Sequence, residues 1–170
     1  MISVRHADRD DLPAVQSVLV TTWHATYDAI YGAERVAEIT KSWHALEALE
    51  WQLDLPDFVR LIAVEDGQIV GTASGALVAD GELKLFQLYV LPSAQRLGVG
   101  LKLLNRLIGD FDGATHVTLE VEPANASAVD FYRRNGFVEA GTVADCGRPG
   151  SGIPAIVMRR DLARAQDAEL

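Results

Sequence analysis

The sequence predicts an α+β fold, a mixed and mostly antiparallel β-sheet flanked by helices. Three observations lead there. Strand-like and helix-like periodicities follow one another in the order β-α-α-β-β-β-α-β-α-β-β. Three successive strands are separated by short Gly-containing turns rather than by helices, which argues against a doubly wound α/β arrangement. A length of 170 residues suits one domain with a single core, and no repeat, low-complexity block or linker divides it. One domain over residues 1–162 is therefore expected, followed by a frayed tail over 163–170.

Each element has its own signal. Ile2-Ser3-Val4-Arg5 reads as an opening strand. Asp8 to Asp11 offers N-caps to a first helix carrying Leu12, Val15, Val18 and Leu19, expected to end near Trp23. Val36, Ile39, Trp43, Leu46, Leu49 and Leu53 recur at helical spacing as one second helix, ended by Pro56, with Trp43 and Trp51 on its apolar side. Phe58–Val64, Ile69–Val78 and Leu83–Val90 are strands joined at Asp66-Gly67 and Asp80-Gly81. Leu97 to Ile108 is helical, with Leu101, Leu104, Leu107 and Ile108 as its apolar side. Val117–Val121 is a strand, and Ala126–Asn135 a helix stopped by Gly136. Phe137–Ala144 and Ile153–Met158 close the chain as strands around a Gly/Pro-rich loop, Asp145 to Gly152.

Composition narrows the function. A formal net charge of −9 argues against a nucleic-acid partner, which would need clustered Lys and Arg, and suits a cationic small molecule or basic peptide. No apolar run of membrane-spanning length occurs, and the N-terminus lacks a signal-peptide layout. The single cysteine, Cys146, supports neither an internal disulfide nor a zinc site, so a cytoplasmic setting and no metal are expected.

The chemistry concentrates in Pro92-Ser93-Ala94-Gln95-Arg96-Leu97-Gly98-Val99-Gly100-Leu101. A strand ends and a helix begins here, so first-turn amides and the positive end of the helix dipole form an anion site. Gly98 and Gly100 leave the backbone open to a phosphate, and Arg96 adds a guanidinium beside it. A dinucleotide fingerprint would need a third glycine where Leu103 stands, and a phosphate-binding Walker loop would need Gly-Lys-Ser/Thr in place of Gly100-Leu101-Lys102. A pyrophosphate cradle of another kind is left, or a glycine-containing helix start without a ligand.

Gln95-x-x-Gly98-x-Gly100 after Leu88-Tyr89-Val90-x-Pro92 resembles the cofactor motif of the GNAT superfamily of N-acetyltransferases. The resemblance covers essentially the whole chain, its motifs running from about Leu83 to Val138. It implies a GNAT-like three-layer sandwich and acetyl-CoA as co-substrate. The amides of Gln95, Arg96, Leu97, Gly98, Val99, Gly100 and Leu101 would hold the pyrophosphate. The strand residues Leu88, Tyr89 and Val90 would carry the pantetheine arm. Leu119 to Phe137 resembles the family's second motif, whose asparagine, here Asn125, also meets the cofactor arm. Read physically, Asn125 caps a helix, and the two roles can coexist.

Direct acetyl transfer to an amine needs a group to protonate the departing thiolate and a group to take the ammonium proton. The resemblance gives the first role, and contact with the cofactor, to Tyr132, whose alternative is to pack with Phe131 and Phe137. Where many members carry a glutamate before the cofactor strand this chain has Gln87, which cannot act as a base. Glu120 matches the glutamate of the ribosomal-protein N-terminal acetyltransferases and is the candidate base, with Glu122 two residues on; either could be a solvated strand-end carboxylate. Trp23-His24-Ala25-Thr26-Tyr27-Asp28-Ala29-Ile30-Tyr31 resembles the acceptor segment of polyamine-type and peptide N-terminal enzymes, making Trp23, Tyr27 and Tyr31 candidates for substrate binding through cation–π contact. Their alternative is to pin the first helix to the core, and His24 is a surface residue or a base. Cys146 has no activating neighbour in the sequence. The expected reaction is N-acetylation of a small amine or a peptide N-terminus, in a chain whose family often dimerises. A non-catalytic acyl-CoA-binding sensor is the competing class, favoured by Gln87.

Overall fold

The computed structural model describes residues 1–163; most of the tail expected over 163–170 lies outside the described residues. The fold is α+β, a seven-stranded and mostly antiparallel sheet flanked by helices. Its strands are β1 (Ile2–His6), β2 (Phe58–Glu65), β3 (Gln68–Ala79), β4 (Glu82–Val90), β5 (His116–Val121), β6 (Val138–Val143) and β7 (Ala155–Asp161), in sheet order β1-β2-β3-β4-β5-β7-β6. The helices are α1 (Leu12–Tyr31), α2 (Ala33–Trp43), α3 (Leu46–Leu53), α4 (Val99–Gly109) and α5 (Ala126–Arg134). β4 and β5 are the parallel pair, Glu82–Leu85 running beside His116–Leu119, while β1/β2, β5/β7 and β6/β7 are antiparallel.

Two compact units are distinguishable. One contains Met1–Gly75 and Gln87–Asp110; the other contains Ala76–Phe86 and the described residues from Phe111 onward. In the first, Leu12, Val15 and Leu19 of α1 pack with Leu49 of α3 and Ile62 of β2, with Tyr89 of β4 against them. The period of two along each strand sorts the rest. Arg60 and Ile62, Thr72 and Ser74, Gln87 and Tyr89 share the face toward α1 and α3, as their contacts show. The opposite face meets α4. There Gly71 lies so close that an added Cβ would come within 3.1 Å of the Tyr89 carbonyl oxygen and 3.2 Å of Leu103. Only a residue without a side chain lets helix and sheet approach this far.

In the second unit Val117, Leu119 and Val121 are buried on one side of β5 and Met158 is buried on β7. The hairpin turn Asp80-Gly81 takes φ of 34° and 78°, matching the sequence signal. Thr115 closes over it, its backbone N–H donating to the Gly81 carbonyl at 2.8 Å.

Five expectations are corrected. The first helix does not stop near Trp23 but continues two further turns to Tyr31, because no Gly or Pro occurs before Gly32. The second helical pattern is two helices, broken at His44-Ala45, where the side chain of Gln16 donates to the His44 carbonyl at 2.8 Å. Trp51 is not on a packed face; it is 63% exposed. In α4 the buried residues are Val99, Leu103, Leu104 and Leu107, whereas Leu101 and the preceding Leu97 are exposed. The helix starts at Val99, later than the hydrophobic pattern suggested, because Arg96 and Gly98 take left-handed backbone conformations that a helix cannot contain.

Candidate active site

The first unit holds the strand-to-helix turn expected to cradle an anion. After β4, Pro92–Ala94 forms a single 3₁₀ turn, and the Gln95 side chain donates back to the Val90 carbonyl at 3.0 Å, fixing the loop to the end of the strand. Arg96 follows at φ 66° and Gly98 at φ 78°, ψ 6°. For an arginine that conformation carries strain, of the kind that collects where a loop is shaped for a ligand. Gly98 is the N-cap of α4 and supplies no capping side chain, so the helix's first amides are left without the oxygen that a Ser, Asp or Asn would bring. A Cβ built on Gly98 meets nothing within 4 Å. The approach to those amides is open, as a phosphate group requires, and the exposed Arg96 sits at its edge. These residues fit the pyrophosphate of coenzyme A, with Leu88, Tyr89 and Val90 part-exposed along the strand leading to them.

That strand also carries Gln87, whose side-chain oxygen accepts from Arg60 Nη1 at 2.9 Å and from Ser74 Oγ at 3.4 Å. Arg60 is a functional-looking residue that the sequence reading passed over. A guanidinium inside the apolar strand Phe58-Val59-Arg60-Leu61-Ile62-Ala63 was the available signal. Tyr89, two residues on, accepts from Trp23 Nε1 at 3.2 Å. Trp23 leads an aromatic series in which its ring lies 4.6 Å from that of Tyr27, and Tyr27 lies 6.0 Å from Tyr31. Trp23 and Tyr27 are buried, at 5% and 6% exposure, and Trp23 also packs edge-on against Trp43. Tyr31, half-exposed, stands under the guanidinium of Arg35 at 5.0 Å. All three belong to the last turns of α1 rather than to a connecting segment. His24 pairs with Asp28 at 2.7 Å on the same helix.

The second unit holds Tyr132, Glu120 and Asn125. Asn125 caps α5, its side chain accepting from the Ala128 amide at 3.2 Å. Tyr132 lies in the last turn of α5, 8% exposed, its ring 5.3 Å from Phe131 and 5.5 Å from the buried Phe137 in edge-on contacts. Glu120 points off the side of β5 opposite to Leu119 and Val121. One carboxylate oxygen accepts from the Gly147 amide at 3.1 Å and the other stands 3.8 Å from Lys84 Nζ. It lines a cavity of about 490 Å³ with Lys84, Val143, Ala144, Asp145, Gly147, Arg148 and Pro149. The β6–β7 loop thus forms one wall of that cavity, held by the Gly152 amide donating to Asp145 at 2.8 Å. Glu122 is buried rather than solvated, and one of its oxygens accepts from the Ala124 amide at 3.3 Å. Burial, and then the nearby Glu120 and Glu122 charges, push the Cys146 thiol up to about 11. A thiol so held is protonated at neutral pH and is a poor nucleophile.

Among the described residues no group of three or more His, Cys, Asp or Glu side chains could hold a metal ion, and no helix is long and apolar enough to cross a membrane.

Residues 23–137 match the family model described as acetyltransferase (GNAT) family. A peptidyl-lysine N-acetyltransferase of Escherichia coli (strain K12) is 28% identical over 146 residues, 84% of this chain and 85% of that protein. The ribosomal protein bS18-alanine N-acetyltransferase of the same organism is 37% identical over 78 residues, 45% of this chain and 52% of that one. Among solved structures, the PaiA N-acetyltransferase of Thermoplasma acidophilum in complex with coenzyme A superposes with a TM-score of 0.80 at 24% identity, covering 95% of this chain and 99% of that one. The ribosomal-protein-S18-alanine N-acetyltransferase of Escherichia coli gives a TM-score of 0.73 at 25% identity, covering 97% and 96%.

Proposed function

The chain belongs to the GNAT acetyltransferase family and is an acetyl-CoA-dependent N-acetyltransferase; on that premise we propose that its acceptor is the primary amine of a peptide and that Glu120 and Tyr132 move the protons. The observation that carries the acceptor reading is the open depression of about 490 Å³ beside Glu120, with the β6–β7 loop as one wall. Two relatives whose names specify peptide amines support the same class, and the net charge of −9 favours a basic partner.

Acetyl-CoA supplies an activated thioester carbonyl and a thiolate leaving group. The amides of Gln95 to Leu101, with Arg96, are assigned to its pyrophosphate, and Leu88 to Val90 to its arm, where backbone N–H groups near Val90 would stabilise charge developing on the carbonyl oxygen. Glu120 takes the ammonium proton, directly or through a water in the cavity, freeing the lone pair for attack. Lys84 Nζ, 3.8 Å from the Glu120 carboxylate, helps to orient it. Tyr132 gives its phenolic proton to the departing sulfur, and its burial between two phenyl rings holds the hydroxyl in a fixed place. Asn125 steadies the start of α5 and faces the arm. Residues 1–162 act in this reading as one acetyltransferase domain in the cytoplasm.

A panel of peptides with free α-amines, peptides whose only amine is a lysine, and polyamines, incubated with acetyl-CoA and read by mass spectrometry, tests the acceptor class. Acetylation of peptides ahead of polyamines is the expected result. Acetylation of polyamines alone would remove the peptide reading, and transfer to no amine would favour the acyl-CoA sensor.

A further inference from the structure

Gln87 stands where the sequence disappoints a search for a base, and its surroundings give it a different task. Arg60 has only donors to offer, so the atom of Gln87 that faces Arg60 Nη1 at 2.9 Å must be the carbonyl oxygen. Ser74 Oγ points at the same oxygen from 3.4 Å. With the oxygen held from two sides, the amide cannot flip, and the –NH₂ is turned the other way. Among the described residues that –NH₂ group makes no hydrogen bond, and Gln87 is part-exposed. Arg60 itself is 2% exposed. Its hydrogen-bond partners are the neutral Gln52 at 2.8 Å, Gln87, and Thr72 at 3.5 Å, and its Nε has none. A buried guanidinium without a carboxylate polarises the two part-exposed amides that meet it, Gln52 on α3 and Gln87 on β4. The Gln87 N–H groups are therefore strengthened as donors, and a cationic nitrogen is repelled from them.

Gln87 shares its sheet face with Tyr89, which the indole of Trp23 touches, and the rings of Trp23, Tyr27 and Tyr31 step from there toward the half-exposed Tyr31. We propose that Gln87 is a specificity-determining residue that donates a hydrogen bond to a carbonyl oxygen of the acceptor, selecting amines that carry a neighbouring carbonyl, as a peptide α-amine does, over plain alkylamines. Arg60 and Ser74 are positioning residues for it. The inference rests on the peptide-acceptor reading and narrows it.

Acetylation kinetics of the full-length protein with two acceptors test it: an alanine-terminated peptide and an alkylamine of matched length lacking the carbonyl. The wild-type protein should prefer the peptide. Gln87→Leu should raise KM for the peptide roughly tenfold, the worth of one such hydrogen bond. It should leave kcat, the KM for acetyl-CoA and the alkylamine kinetics nearly unchanged. Gln87→Glu guards against a folding artefact, since its carboxylate would pair with Arg60 and keep the protein at least as heat-stable while removing the N–H donor. It should lose the preference for the peptide as fully as the leucine variant. Equal losses with both acceptors, no loss in either variant, or a wild-type protein that treats the two acceptors alike would each overturn the proposal. A wild-type protein that acetylates no amine would instead count against the peptide-acceptor reading beneath it.

Discussion

The two helices that follow strands β4 and β5 start in opposite ways. α5 closes its own N-terminus, the Asn125 side chain accepting from the Ala128 amide at 3.2 Å. α4 begins at Gly98, which has no side chain, in a loop where two residues sit at positive φ and no side-chain cap is made. A capped helix spends its first amides on its own stability; an uncapped one keeps them for a ligand. The difference separates work as well. In the function proposed here the open start of α4 binds the cofactor and the closed helix α5 presents Tyr132 to the departing thiolate.

Changes on the two helices should therefore fail differently. The largest effect is expected on α5. Tyr132→Phe keeps the ring packed between Phe131 and Phe137 and removes only the hydroxyl, so kcat should fall by about 10²–10⁴ while coenzyme A affinity holds. Steady-state rates beside calorimetric binding would show it, and an unchanged kcat would remove the acid role. On α4, Gly98→Val forces a β-branched residue into a left-handed conformation at the mouth of the cradle. Coenzyme A binding should weaken by roughly 10- to 100-fold, the scale at which one misplaced anion site is felt. Binding within twofold of wild type would mean that the open helix start is not the cradle.

Asn125→Ala is a smaller change and tests the closed start. Loss of the cap should cost about 1 kcal/mol, lowering the melting midpoint by about 2–4 °C for a chain of this size. Coenzyme A affinity should fall only a few-fold. A loss as large as that of Gly98→Val would make Asn125 chiefly a cofactor ligand. The smallest effect concerns Cys146. Cys146→Ser should leave turnover within about twofold, because a thiol pushed up to about 11 is not poised to react. The sign of its linkage is set by the raised value. The stability it contributes is complete below the ordinary value of 9.0 and is lost as pH rises through about 11. Unfolding curves of the wild type and Cys146→Ser should therefore diverge only above pH 9.0.

Much of the site could be read directly. Gln95, Gly98 and Gly100 mark the strand-to-helix turn, which the structure shows as an uncapped helix start, and the strand–turn signals at Asp66-Gly67 and Asp80-Gly81 place the hairpins, because both depend on local backbone conformation. What stayed hidden has one cause. Trp23 and Tyr27 resemble a binding lip in a linear reading, and the structure shows both buried, with Trp23 in contact with Tyr89 and Trp43. Trp51 has the helical spacing of a packed residue and lies in solvent. Whether an aromatic side chain meets a partner depends on segments far away in the chain, which periodicity does not encode.

The sequence by itself determined the alternation of strands and helices apart from the break between α2 and α3, and the absence of a base at Gln87, since each rests on residue chemistry or local spacing. The resemblance of its motifs to the GNAT family carried the class of cofactor. Tertiary structure decided what those residues face. It buried Arg60 among neutral partners, turned the Gln87 oxygen toward it, and set Glu120 between Lys84 and the Gly147 amide. Segments tens of residues apart meet in each case, and a buried charge or a fixed amide orientation has no meaning until they do.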